Sequence, residues 1–201
     1  FNHTGEGGVW DGTRACAEIV SFRGLDNAGY YSLVPGDASA YWESTGCGNN
    51  LNGGTPVVRA LVLDSLAYWL DEMGVDGFRF DLAPALGSEA ASSFGFNPNS
   101  RLLIDIADLA QTHNIEVIAE AWDTAGGGYQ VGNFPDRWSE WNGRWRDAVR
   151  CFMKGATDGP ISSAAALHGD YLHFADQGGP ERSVNFVCAH DGFTLADLVS
   201  Y

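Results

Sequence analysis

The chain has 201 residues, 45% of them hydrophobic and 18% charged, which is enough for one sizeable domain with a buried core and unlike a disordered tail. Lys and Arg number 11 against 26 Asp and Glu, a formal charge of -15 that repels phosphates and sets aside nucleic acid and anionic membrane as partners. Aromatics at 12% and 26 glycines, with few positive charges, suit a neutral ligand that stacks on rings, such as a sugar; glycine-rich loops around an aromatic core would give the same composition.

The chain opens on Phe1-Asn2-His3 and shows no signal peptide and no apolar run of membrane-spanning length. Four widely spaced cysteines (Cys16, Cys47, Cys151, Cys188) form no CxxC pair, so they are expected to be free, buried thiols rather than a zinc site or a disulfide framework. Residues 5–56 are rich in Gly, Asn, Asp and Ser with aromatics between them, which predicts a long irregular excursion. Thr55-Pro56 then reads as a cap followed by proline at the first helical position, with Val58, Val62, Leu66, Trp69, Leu70 and Met73 at helical spacing and Gly74 as a stop.

In VDGFRFDLA (75–83), Phe78, Phe80 and Leu82 alternate with Arg79 and Asp81, the periodicity of a strand. A second helix is expected over about 99–113, with Leu102, Leu103, Ile106, Leu109 and Ala110 on one stripe. IEVIAEAW (115–122) is a short apolar run of the buried-strand type. Residues 123–143 read as a loop, 144–154 as helix or strand, and 161–174 as helical. SVNFVCAHDG (183–192) reads as an apolar strand ending in charge, and FTLADLVSY as the start of a helix.

Alternation of this kind implies parallel strands joined by crossover helices. Each candidate strand ends in an acid: Asp81, Glu120 and Asp191. In a barrel of alternating strands and helices, chemistry sits at the carboxyl ends of the strands, so the three acids would converge on one mouth. Only three clear strands, a fourth at 144–153 and a strand end at 1–3 can be counted. A complete (β/α)8 barrel has eight and about 250 residues, so the chain reads as an internal part of a longer protein.

Hydrolysis of a glycosidic bond takes two carboxyl groups, one to protonate the leaving oxygen and one to attack the anomeric carbon or activate water. Arg79 and Asp81 are two apart on a strand and face the same side, and an adjacent arginine favours an ionised carboxylate. Glu120 follows Val117, Ile118 and Ala119, and an apolar setting favours a protonated one. An acid at a strand end also caps a following helix in many folds, and His3 and His190 taken singly are ordinary polar residues near turns. It is the ordered set that points to chemistry: Arg-x-Asp, an apolar strand into Glu-x-Trp, and an apolar strand into His-Asp.

These residues resemble the signature regions of the α-amylase superfamily of glycoside hydrolases (family 13), and within it of the isoamylase-type debranching enzymes. FNHT (1–4) is similar to the end of the first region, GFRFDLA (77–83) to the second, VIAEAWD (117–123) to the third and FVCAHDG (186–192) to the fourth. SFRGLDNAGYY (21–31), TGCGNNLN (45–52), GGYQVGNFPDRWSEWNGRWRD (127–147) and HDGFTLADLVSY (190–201) resemble stretches of isoamylases and glycogen debranching enzymes.

The resemblance implies a partial (β/α)8 TIM barrel, from the end of strand 3 through strand 7 and the start of the next helix, with residues 1–201 as the central part of the catalytic domain. It implies a retaining hydrolase that cuts α-1,6 branch points of glycogen or amylopectin, in glycogen or starch metabolism, through a covalent glucosyl-enzyme. Asp81 would be the nucleophile, Glu120 the acid and then base, and Asp191 the third acid, gripping sugar hydroxyls. Arg79 would orient Asp81, His3 and His190 would bond the sugar at the cleavage point, and Trp122 would stack on a glucose ring. Trp138, Trp141 and Trp145 would either line the cleft or pack a loop onto the barrel. The partner is a branched α-glucan. No cofactor and no metal ligands are assigned, although Asn2 stands where some relatives place a structural calcium.

The aspartate that normally precedes Asn-His in the first region lies before the chain's start, and a 201-residue piece is not expected to be active alone. The rival readings are a pullulanase, an α-amylase or a glucan branching enzyme, and a non-catalytic glucan-binding subunit. The sparse cysteines and absent leader lean towards an intracellular site in bacterial cytoplasm or a plastid, and oligomeric state is unassigned.

Overall fold

A computed structural model of the chain describes residues 2–4, 21–89, 93–156, 159 and 161–200. Phe1, Trp10 and Cys16 fall outside the described residues. Within the excursion expected over 5–56, residues 21–56 carry regular elements: helix α1 (Arg23–Tyr30) and an antiparallel hairpin of β1 (Leu33–Val34) and β2 (Asp37–Tyr41). Aromatics make this polar stretch fold. Tyr31 is fully buried with Tyr41 edge-on at 5.3 Å, and the Arg23 guanidinium lies 5.0 Å over the Tyr41 ring. Leu51 N–H donates to Asn2 O at 2.9 Å, and the Asn49 amide bonds both N–H and C=O of Thr4. Residues 2–4 are thereby fixed against the frame.

Helix α2 (Pro56–Asp71) starts with Pro56 in its first turn, as the sequence predicts. Thr55 does not cap it: its hydroxyl donates to Gly29 O at 2.7 Å and ties α2 to the end of α1. Val58, Val62 and Leu66 are buried, whereas Trp69 and Met73 on the same stripe are exposed. Strand β3 (Gly77–Phe80) leads through a 3-10 turn (Ala83–Gly87) to helix α3 (Arg101–His113), whose N-cap Ser100 accepts from Leu103 N–H at 3.4 Å. Asn114, in the left-handed region at φ 51°, closes α3 and turns the chain into β4 (Glu116–Ala119). Leu102, Leu103 and Ile106 are completely buried under the sheet.

In the next stretch one expectation is corrected and one open alternative is decided. The supposed loop at 123–143 contains strand β5 (Trp138–Trp141), and 144–154, open between helix and strand, is helix α4 (Gly143–Met153). The strand is hard to see because four residues show one cycle of alternation and an inward position is taken by an acid: Trp138 and Glu140 are buried, Ser139 and Trp141 half-buried. Trp138 is core, its indole N–H donating to Leu103 O at 3.1 Å, and Trp145 anchors α4 through Ala166 O at 3.0 Å.

After helix α5 (Ser163–Leu167), the strand expected over 183–192 shrinks to β6 (Ser183–Val184) before helix α6 (Leu195–Ser200). It pairs only with Glu140 and Trp141, where β5 ends, so residues 185–191 have no ladder to extend. The four strands β3-β4-β5-β6 form one parallel sheet in chain order, with helices in the first and last crossovers and an irregular connection between β4 and β5. The fold is thus α/β, an open segment of a (β/α)8 barrel. Cys47, Cys151 and Cys188 are free as expected, but Cys47 is exposed and the other two only half-buried.

Candidate active site

Asp81 and Glu120 each follow the last residue of a strand, and β3 and β4 are neighbours whose register pairs Phe80 with Ala119. The two acids therefore emerge side by side at the carboxyl edge of the sheet. Immediately after Asp81, Leu82 takes a left-handed backbone (φ 43°, ψ 46°), a strained state for a branched side chain. Glu120 holds that turn: its Oε2 accepts from Leu82 N–H at 2.8 Å and its backbone O accepts from Ala83 N–H at 3.0 Å.

The two carboxyl groups have opposite surroundings. Glu120 is 1% exposed, and burial pushes its carboxyl above the usual range; the Leu82 N–H and Arg79 pull it down, and the negative charge of Asp81 pushes it further up. The Asp81 side chain is 49% exposed and lies 2.6 Å from Arg79 Nη1. Arg79 spans the pair, with Nη2 3.1 Å from Glu120 Oε2. His190 Nε2 lies 3.4 Å from Asp81 Oδ1 and also 3.4 Å from Asp191 Oδ1.

The structure thus brings together Asp81, Glu120, Arg79 and His190, and Asp191 joins through His190. His3 stands one step out: its Nδ1 meets Asn2 Oδ1 at 2.6 Å, while Asn2 Nδ2 donates to the backbone O of Asp81. Trp122 stands in an aromatic stack, 6.1 Å from Tyr129 and 6.4 Å from Phe186, with the Arg146 guanidinium 5.7 Å from its ring.

Asp81, Glu120 and His190 each offer one potential ligand atom, all within 4.8 Å of one another. The Arg79 guanidinium already supplies positive charge between the two carboxylates. Both polar atoms of the Asn2 amide are likewise engaged, one with His3 and one with Asp81.

Three participants are not picked out individually by the sequence. It weighs Asn2 only against calcium, counts Leu82 as an apolar strand position, and leaves Trp141 with Trp138 and Trp145 between lining the cleft and packing a loop. Trp141 instead places its ring 4.1 Å from the Arg79 guanidinium carbon and 6.0 Å from His190. Its signal was periodicity: it follows Glu140, so its side chain turns to the opposite side from the buried acid.

An open (β/α)8 segment with paired acids, one buried and one arginine-bound, at adjacent strand ends has the two-carboxylate arrangement that glycosidic bond cleavage uses. No family model matches the chain. It is 44% identical over 217 residues to an isoamylase from Flavobacterium sp, covering 100% of this chain and 28% of that protein. It is 45% identical over 203 residues to a glycogen operon protein GlgX homolog from Mycobacterium bovis, covering 100% of this chain and 27% of that protein. A pullulanase from Anoxybacillus sp. LM18-11 complexed with maltotriose superposes with a TM-score of 0.63 at 26% identity, over 85% of this chain and 25% of that one. The chain is thus similar over its whole length to isoamylase and GlgX-type proteins, and it spans about a quarter of the length of these relatives.

Proposed function

We propose that the full-length protein hydrolyses α-1,6 branch points of a branched α-glucan with retention of configuration, and that residues 1–201 supply the central part of its catalytic barrel. One observation carries this reading: Asp81 and Glu120 present oxygens within 4.8 Å of each other, Asp81 exposed beside the Arg79 guanidinium and Glu120 buried, with burial raising its carboxyl above the usual range. Carboxyl groups about 5–5.5 Å apart leave no room for a water between acid and base, which is the retaining arrangement.

In this reading, Asp81 Oδ attacks the anomeric carbon while Glu120 gives its proton to the departing glycosidic oxygen. The product is a glucosyl ester on Asp81 and a released chain end. Glu120, now ionised, takes a proton from water, which cleaves the ester and restores both groups. Arg79 aims Asp81 through their 2.6 Å contact, and His190, Asp191 and His3 offer hydrogen-bonding groups for the sugar hydroxyls. Trp122 and its aromatic neighbours offer a stacking wall for a second glucan chain, which a branch-point enzyme must hold. No cofactor is required by these steps. The glycogen operon named for the Mycobacterium bovis relative fits an intracellular glucan store as the substrate pool.

A second reading, a pullulanase, is favoured by the maltotriose-bound structural neighbour. One experiment separates them. The full-length protein is incubated with amylopectin and with pullulan, alongside an Asp81→Asn variant, and products are sized and stained with iodine. Debranching predicts linear chains and a deeper blue from amylopectin, little product from pullulan, and a loss on the order of 10^3-fold or more in the variant. Rapid cleavage of pullulan turns the assignment to pullulanase, and binding without product turns it to a non-catalytic glucan-binding subunit.

A further inference from the structure

Arg79 touches both reacting carboxylates, yet its own support is unusual. Its Nε is buried and has no hydrogen-bond partner among the described residues, and Nη2 meets Glu120 only as an ion pair. An arginine fixed at one end alone would swing out of the plane that joins Asp81 to Glu120. The ring of Trp141 lies against it, with the guanidinium carbon 4.1 Å from the centroid. An aromatic face attracts a guanidinium electrostatically without needing a hydrogen bond.

Trp141 is itself fixed. It ends β5, Phe186 packs on it at 4.9 Å, and its backbone pairs with Val184 in β6. Its ring also lies 6.0 Å from His190, which contacts both Asp81 and Asp191. It therefore links the arginine of β3 to the segment after β6 that carries His190 and Asp191. With Arg79 and Phe186 both packed on it, the ring is engaged within the protein and is a poor platform for a sugar.

We propose that Trp141 is a positioning residue for this reaction, holding the Arg79 guanidinium where it bridges Asp81 and Glu120. The proposal rests on the hydrolase reading for its kinetics, but its geometry can be tested without turnover. Among the described residues, the charged or titratable groups facing Glu120 are Arg79 on β3, Asp81 just after it, and His190 from the segment after β6. Arg79 is the cation among them that favours an ionised Glu120. When it loosens, Glu120 holds its proton to higher pH.

The test uses the full-length protein with Trp141→Leu and Trp141→Phe. The first readout needs no substrate: ¹⁵N-arginine spectra, with the Arg79 Nε–H signal assigned by Arg79→Lys. In the native protein this signal is expected to be ring-shifted and slow to exchange with water; in Trp141→Leu it exchanges faster, and in Trp141→Phe it is largely restored. The second readout is kinetic. Trp141→Leu is expected to lower kcat about 10- to 100-fold with KM little changed, since misplacement by about 1 Å can cost that much. The basic limb of its pH profile moves to higher pH.

An unchanged Arg79 signal in Trp141→Leu overturns the proposal whatever the activity. So does a rise in KM with kcat and the pH limb unmoved, which would make Trp141 a sugar platform. A native protein that shows the expected Arg79 behaviour but cleaves no glucan leaves the positioning intact and overturns the hydrolase reading instead.

Discussion

Two acids, one just after β4 and one within β5, are buried to the same degree and held differently. Glu120, 1% exposed, shares its site with Arg79. Glu140, 0% exposed on β5, accepts from Gly132 N–H at 2.7 Å and Phe134 N–H at 3.3 Å, and the cation that acts on it, Arg182, contributes least to its charge balance. Burial therefore dominates, and its carboxyl is pushed up to about 7 from the usual 4.5. The sign of the consequence is fixed. Between these values the unfolded chain releases the proton and the folded chain keeps it, so stability is full below the lower value and falls as pH rises through the upper one. The loss is on the order of 3 kcal/mol. Glu140→Gln keeps an acceptor for the 132–134 loop and cannot ionise. Thermal unfolding of the full-length protein between pH 5 and 8 is expected to show a falling midpoint in the native protein and a flatter one in the variant; equal slopes would place the burial cost elsewhere.

At the scale of elements, the close approach of β3 to β4 sets the separation of Asp81 and Glu120. Gly77 opens β3, and a Cβ there would sit 2.5 Å from Glu116 O and 3.3 Å from two further backbone atoms of that residue. Backbone on both sides cannot give way as a flexible side chain would, so Gly77→Ala must spread the strands. It is expected to cost a few kcal/mol of stability, and to lower kcat in whatever fraction stays folded. Native-like kcat in the variant would show that the acids are set by their turn alone.

The same elements mark what the sequence could disclose. Helices α2 and α3 were legible because each repeats its apolar period over several turns, β3 because the alternation runs on through Leu82, β4 because its apolar run is unbroken, and the two acids were legible as strand ends. β5 was not, since the buried Glu140 breaks the expected apolar face in a strand of four residues. β6 was overextended because an apolar run says nothing about whether a neighbouring strand is there to pair with. The positions of Asn2, Leu82 and Trp141 depend on contacts across 40 to 80 residues or on a backbone angle, which no local pattern encodes.

At the scale of the molecule, the described residues leave large surfaces without cover. Among them, β3 pairs only with β4 and β6 only with β5, so the sheet has two open edges. Leu167 and Leu172 are each 88% exposed, and Phe152 and Leu167 line a 710 Å³ cavity between α4 and α5. On the other side, Trp69 borders a 430 Å³ cavity that reaches Arg79 and Asp81. Open edges and apolar faces of this size are sites of association unless something covers them. Relatives about four times as long have chain enough to do so, and a closed barrel would place further strands against both edges. A net charge of -15 slows association but does not bury the faces. Residues 1–201 produced alone are therefore expected to bind an apolar dye strongly, to associate on sizing, and to release no chains from amylopectin. The full-length protein is expected to do the reverse in all three assays. A monodisperse, dye-negative segment would mean that α4, α5 and the sheet edges close on themselves, and that the partial barrel is an independent domain.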